Sequence, residues 1–439
     1  MARVHVVGRR LTCVLVMWLT LVAITRAQEP SSEQSTSERS TPEPAPSIFD
    51  RLGITGSVRT GYWSSTRDLD AEDHLGAGMI WMKSTRSLNN HVSFLAEGWA
   101  SLRGPFDDGD ATGELREAFV DLRFGKLDVR AGRQIIAWGR ADGVNPTDNL
   151  TGEDLTLLVP DDDDCRLGTT AVRASYYLGD VSVTALWLPE FRGLKFPFPA
   201  PPPGMTFERD VRDWPGDQWA VRVEQTGRAV DWSASYFDGR DLYPDLGLDL
   251  GLDRDTPRIR LTHHRVRVAG ADMAANVGRF ALRAEAAYVH TEDSSGVDPF
   301  TKNPFVFVVV GGDRTFGEYF NLNVQYLYRY ILDFRALPDG LSSTVASQQA
   351  ILNSQTKRVQ HGMSFRAAHK WLRETLEVEC AAAAFFGPRG LDIRPKISYA
   401  LNDHWKLLVG AEIFRGESSS VFGLLRPNTA TYVEARWSF

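Results

Sequence analysis

From about residue 49 to the C-terminus, apolar and polar residues alternate along short segments, and the junctions between the segments alternate as well. Every second junction is tight, near Asn89, Gly125, Gly179, Gly227, Gly278, Gly317, Arg373 and Asn402. The others run longer and more polar, as at 64–73, 103–113, 139–168, 190–217 and 333–357. A period of two puts successive side chains on opposite faces of a strand. A soluble sandwich has no reason to keep tight turns on one rim and long loops on the other, whereas a closed wall between lipid and a wet lumen does. The expected fold is therefore all-β: a transmembrane antiparallel β-barrel of about eighteen strands, with short periplasmic turns, long extracellular loops and both termini at the short-turn rim.

The last segment sets Thr429, Thr431, Val433, Ala435 and Trp437 against Ala430, Tyr432, Glu434, Arg436 and Ser438, and stops on Phe439. One greasy and one polar face suit such a wall, which must close because lipid offers no partner to an open edge. Trp437 and Phe439 are read as the barrel-assembly signal, and Trp81, Trp187, Trp219, Trp232, Tyr288, Trp405 and Trp437 as interfacial girdles. At the other end, residues 1–27 join Arg3, Arg9 and Arg10 to the apolar run CVLVMWLTLVAI, the pattern of a secretory signal. Residues 28–48 hold almost nothing apolar and are expected to form a disordered periplasmic leader, leaving 49–439 as the barrel. Four arginines leave with the signal, which moves the net charge from −7 to about −11. Beyond it no apolar run reaches the ~18 residues of a membrane helix, which excludes a helical membrane protein. Cys165 and Cys380 fall in an acidic loop and on a lipid face, and a disulfide between them is not expected.

Alternation assigns an inward cationic set: Arg130, Arg173, Arg222, Arg258, Arg260, Arg283, Arg329, Arg366, Arg394, Lys396 and Arg436. The guanidinium fork binds carboxylate or phosphate in two places, and rows of such groups give an anion successive weak sites. Inward carboxylates are nearly as numerous, however, and Arg–Glu ladders also stiffen barrels without binding a passenger. Arg258, Arg260, Arg265, Arg267, Arg279 and Arg283 are read onto one hairpin with Glu285 as its only inward acid, which makes that hairpin the expected selective wall.

The stretch from Gly139 to Gly168 is a second candidate, with Trp138, Asp142, Asn145, Asp148 and Asp154 as its marked residues. Thr151 to Asp154 resembles a capping box, which predicts a short helix ending at Val159-Pro160. Folded inward this loop would constrict the pore; lying outside it would be a lid. Asp161, Asp162, Asp163 and Asp164 supply oxygen ligands of the kind calcium takes, although a solvated acidic patch is the simpler reading and no metal is assigned. His263 and His264 are adjacent, point to opposite faces of a strand and make a poor metal pair.

The sequence GRQIIAWGRADGVNPTDNL carries Gly132, Arg133, Gln134, Trp138, Gly139, Asp142, Asn145, Pro146 and Asp148. It resembles a motif of uncharacterised porin-like and alginate-export-type outer-membrane barrels of Gram-negative bacteria. The resemblance implies a channel of about eighteen strands and, for the alginate-export type, an arginine-rich path for an acidic polysaccharide. From the residues themselves, Trp138 is expected to anchor its strand at the outer interface, and Asn145-Pro146 with Asp148 to make a turn.

Three function classes follow: a channel in the outer membrane for polar, anionic solutes or an acidic polysaccharide; a plugged barrel serving as anchor or adhesin; and an outer-membrane hydrolase. No spacing joins a nucleophile to a base and an orienting group, so the chain is read as non-enzymatic. No cofactor and no nucleic acid are expected. The expected partners are outer-membrane lipid and lipopolysaccharide, the barrel-assembly machinery and, for a polymer exporter, a periplasmic export partner.

Overall fold

The computed structural model describes residues 52–65, 74–103, 110–197, 204–209, 217–249, 257–335 and 341–439. The expected signal and leader, the first residues of the barrel and the connections 66–73 and 104–109 lie outside the described residues. In chain order the strands are β1 (Ile54–Ser65), β2 (His74–Ser87), β3 (Val92–Arg103), β4 (Asp110–Phe124), β5 (Leu127–Gln134), β6 (Thr169–Leu178), β7 (Val181–Leu188), β8 (Thr206–Arg209), β9 (Gln218–Gln225), β10 (Val230–Arg240) and β11 (Asp245–Asp249). They continue with β12 (Arg258–Thr262), β13 (Arg265–Val277), β14 (Phe280–His290), β15 (Phe305–Phe316), β16 (Phe320–Ile331), β17 (Val359–Trp371), β18 (Leu376–Phe386), β19 (Arg389–Ala400), β20 (Trp405–Gly416) and β21 (Ala430–Ser438).

All but β8, β11 and β12 join one 18-stranded antiparallel sheet, closed where β1 pairs with β21 from Ser57↔Ser438 onward. The eight expected tight turns are all present, at 88–91, 125–126, 179–180, 226–229, 278–279, 317–319, 372–375 and 401–404. The other rim departs from expectation at one place, because β18 and β19 are joined there by residues 387–388 alone.

The faces alternate as the sequence reads. In β21, Thr431 and Val433 are exposed while Ala430, Tyr432 and Glu434 are buried; in β16, Tyr326 faces out while Asn323, Gln325 and Leu327 face in. Trp187, Trp219, Trp232 and Tyr288 stand exposed on the outer wall, as a girdle requires. Trp81 does not. It is 6% exposed and faces inward, with Nε1 donating to Glu97 and the Arg59 and Arg116 guanidiniums over its ring. Two cations and an acid in the lumen give this indole better partners than an interface would.

The chain end seals the ring. Phe439 and Gly56 exchange both backbone hydrogen bonds at 3.0 Å, and the Phe439 ring lies where a Gly56 Cβ would come within 2.7 Å of it. Deleting Phe439 removes both bonds and the ring at the seam, each bond contributing about 0.5–1.5 kcal/mol. The deletion is expected to abolish the heat-resistant folded band on unheated gels, and undiminished heat resistance would refute it.

β12 pairs with β11 and β8 in a three-stranded sheet that is separate from the wall. Leu246, Ile259 and Leu261 of this sheet pack with Leu194, Phe196, Leu425 and with Val345 and Leu352 of the helix Leu341–Leu352. Segments from several loops of one rim thus share a small core across the barrel mouth. Asp245 ties its polar side together, accepting from Asn353 Nδ2 at 3.0 Å and from Gln349 and meeting His264 Nδ1 at 2.7 Å.

Candidate functional site

Between β5 and β6, residues 135–168 fold into the barrel and cross it. One end packs Ile136, Trp138 and Leu150 against Leu186, Phe237, Val268 and Val289 of the wall. The other packs Leu157 and Val159 on Met79 and Trp81, and Leu158 on Trp63 and Tyr432. Of the two placements the sequence left open, the structure takes the inward one.

Two sequence expectations fail here. Trp138 is 7% exposed, inside the barrel, and no part of the outer interface. The helix expected from Thr151 does not form either. Glu153 and Asp154 bridge to Arg166 and Lys195, and the Thr151 hydroxyl donates to the Ile136 carbonyl rather than capping a helix. Segments that pair and packing on both sides outcompete a weak helical start. The only helical turn in this stretch is a 3-10 one, Asp162–Cys165. The Asn145 turn is present, with Asp148 N donating to Asn145 O at 3.2 Å.

Glu285 is the clamp of this crosspiece. It lies in the middle of β14 and is 1% exposed. Its carboxylate accepts from the backbone N–H of Arg140 (3.0 Å), Ala141 (3.2 Å) and Thr147 (2.7 Å) and from the Thr147 hydroxyl (2.8 Å). Arg140 then reaches Asp272 at 2.6 Å and Glu224 at 2.5 Å. Asp272 corrects the reading of Glu285 as the only inward acid of its hairpin. At the tip, the Asp142 carbonyl accepts from Gln325 Nε2 at 3.0 Å, while Ala141 and Val144 pack by Phe307 and Leu327.

Close approach to Glu285 dictates the residue at 139. Gly139 has φ +99°, and a Cβ there would sit 2.6 Å from Glu285 Oε2. Gly139→Ala adds backbone strain of about 1–3 kcal/mol to that clash. It is expected to loosen the loop tip without opening the wall, read as protease cleavage between 139 and 147 in a barrel that stays heat-resistant. Resistance equal to the parent protein would count against the clamp.

The acidic run meets the opposite wall. Asp161 lies 3.1 Å from Lys396 and 3.0 Å from Arg436; Asp162 lies 2.7 Å from Arg394; Asp164 meets Arg59. Three of the four aspartates are thereby paired with arginine or lysine of the wall, while Asp163 stays exposed, and among the described residues no acidic or histidine group gathers that could hold a metal. Burial pushes the Asp161 carboxyl up, but Arg436 and Lys396 outweigh it and hold it below the usual range. Burial raises Asp148 and Glu153, against the pull of Arg166, which lies 2.9 Å from Asp148. Asp154 is held by Lys195 at 2.8 Å.

The structure divides the expected cationic set. Arg366, Arg394, Lys396 and Arg436 stand along β17, β19 and β21; their wall carboxylates are Glu379, Asp392 and Glu434. Arg130 is held in a fork by Asp121 at 2.7 and 2.9 Å, directly across from Arg173, which makes no ion pair among the described residues. Arg222 shares Glu224 and Asp272, and Arg283 pairs with Asp313. Arg329 lies over the Phe305 and Phe307 rings and donates to the Asn353 carbonyl. Arg258 and Arg260 are not on the wall. They belong to β12 in the mouth sheet, 3.1 Å from Glu208 and 2.8 Å from Asp249. The alternating basic run 258–267 looks like one strand but breaks at His263 and His264, so the expected hairpin does not carry all six arginines, and the cations that meet the loop aspartates stand on β1, β19 and β21. Sequence reading passed over Arg140 and Thr147, although the tight WGR step beside them is where a backbone clamp needs glycine.

Residues 103–303 match the family described as "Protein of unknown function (DUF1302)". No curated protein matches the chain. Among solved structures, the chain is similar to Pseudomonas aeruginosa OccK5 (OpdH), with 8% identity over 88% of this chain and 97% of that one and a TM-score of 0.52. Pseudomonas aeruginosa OpdL gives 9% identity, 88% and 97% coverage and 0.51; Acinetobacter baumannii OccAB1 gives 11%, 88% and 96%, and 0.50. At such identities the likeness is one of fold. It is the porin-like fold, a closed antiparallel β-barrel of 18 strands.

Proposed function

We propose that the barrel is a constricted channel for polar, anionic solutes, with the crosspiece 135–168 and the inward cations of β17, β19 and β21 forming the two sides of its narrowest part. The observation that carries this reading is the exposure of charge at mid-barrel. Asp162 and Asp163 keep 77% and 95% of their side-chain surface, and Arg366 keeps 46%, although all three lie among inward-facing groups. Charge this accessible inside a wall argues for water beside it, and a wet seam edged by arginine suits a carboxylate passing from one fork to the next. An acidic polysaccharide is a longer solute of the same chemistry.

A plugged anchor is the second reading, favoured by the apolar clusters that bolt both ends of the crosspiece to the wall. Planar-bilayer recording of the refolded chain separates the two. The channel reading expects steady anion-selective current, reduced by small carboxylates or by alginate oligomers according to which solute fits. A correctly inserted but silent barrel would sink it in favour of the anchor.

A further inference from the structure

A groove of about 470 Å³ opens at the short-turn rim, between the turns at 278–279 and 317–319, lined by Arg279, Phe280, Arg314 and Phe316 and, on its inner side, by Asp313. Strand parity puts Phe280, Arg314 and Phe316 on the lipid face, since their neighbours Arg283 and Asp313 form an ion pair on the lumen side. Phe280 and Phe316 are exposed there beside Val277 and Leu282, so the groove sits in an apolar belt at its interfacial edge.

Arg314 is unusual for that position. Its guanidinium carbon lies 4.9 Å from the Phe280 ring centroid and 4.6 Å from that of Phe316, and its Nε is sealed from solvent without an acceptor. The side chain is thus clamped between rings instead of trailing into water, as a snorkelling arginine would. Neither Arg314 nor Arg279 has a carboxylate within ion-pair distance among the described residues. The nearby acids are engaged: Asp313 with Arg283, and Glu318 with the Tyr319 hydroxyl.

Two cations that no carboxylate among the described residues pairs with, beside aromatic walls at a membrane interface, call for an anion whose other end is greasy. We infer that this groove binds the phosphodiester headgroup of an acidic phospholipid from the leaflet at the short-turn rim, with its acyl chains along Val277, Phe280 and Leu282. Its aromatic walls and Arg314 are on the lipid side, and the site is independent of whether the barrel conducts.

Native mass spectrometry of the full refolded barrel, released from micelles supplied with phosphatidylglycerol or phosphatidylcholine, tests it. Phosphatidylglycerol is expected to remain bound to the parent protein, and the double variant Arg279→Gln/Arg314→Gln to retain about tenfold less of it. Equal retention of the two lipids by the parent protein would overturn the proposal whether or not the variant folds, as would full retention by a folded variant. Displacement of phosphatidylglycerol by inorganic phosphate would identify the anion as free phosphate and overturn the lipid assignment.

Discussion

Glu285→Ala is expected to raise the single-channel conductance by about twofold or more, by letting the loop tip 139–147 leave the β14 side of the lumen. The buried carboxylate takes four hydrogen bonds from that tip, three of them from backbone N–H groups. A hydrogen bond to a charged group contributes about 1.5–3 kcal/mol, and four that act as a unit contribute less than their sum. Ile136, Trp138 and Leu150 keep the loop's entry fixed, so the effect is confined to the tip. Glu285→Gln keeps the shape with a weaker acceptor and is expected to fall between the parent and the alanine variant. Unchanged conductance in a heat-resistant Glu285→Ala barrel would show that the tip does not border the path.

The second large effect concerns selectivity. Asp161→Asn with Asp162→Asn removes the loop carboxylates facing Arg394, Lys396 and Arg436. At an effective dielectric of about 20, a unit charge some 4 Å away acts with about 4 kcal/mol before solvation and salt reduce it. With two of these charges gone, the wall presents positive potential to the seam, and the anion-to-cation permeability ratio from reversal potentials is expected to rise about threefold or more. A ratio that stays the same or falls would place the conducting path away from β19 and β21.

Legibility in the sequence followed the range of the interaction. The wall was readable because alternation and turn chemistry are local: FNLNVQYLYRY sorts its own faces, and Gly278 or Asn402 marks its own turn. Inward arginines were readable by parity for the same reason. Their partners were not, since Asp162 and Arg394 lie far apart in the chain and no local rule joins them. Local reading also misplaced Arg258 and Arg260, because the chain leaves one sheet and enters another at His263-His264 without losing its alternation. The helix expected at Thr151 failed in the same way, since Arg166 and Lys195 made bridges that a capping-box reading does not contain.

The crosspiece also has a consequence for the order of assembly. Its clamp is residue 285, its salt partners run to residue 436, and the ring closes only through residue 439. Those partners are in position only once β14, β19 and β21 stand in the wall, so docking the loop returns nothing until that wall is built. The wall is therefore expected to form first around an undocked loop, and the narrowing of the lumen to come as a separate, later kinetic phase.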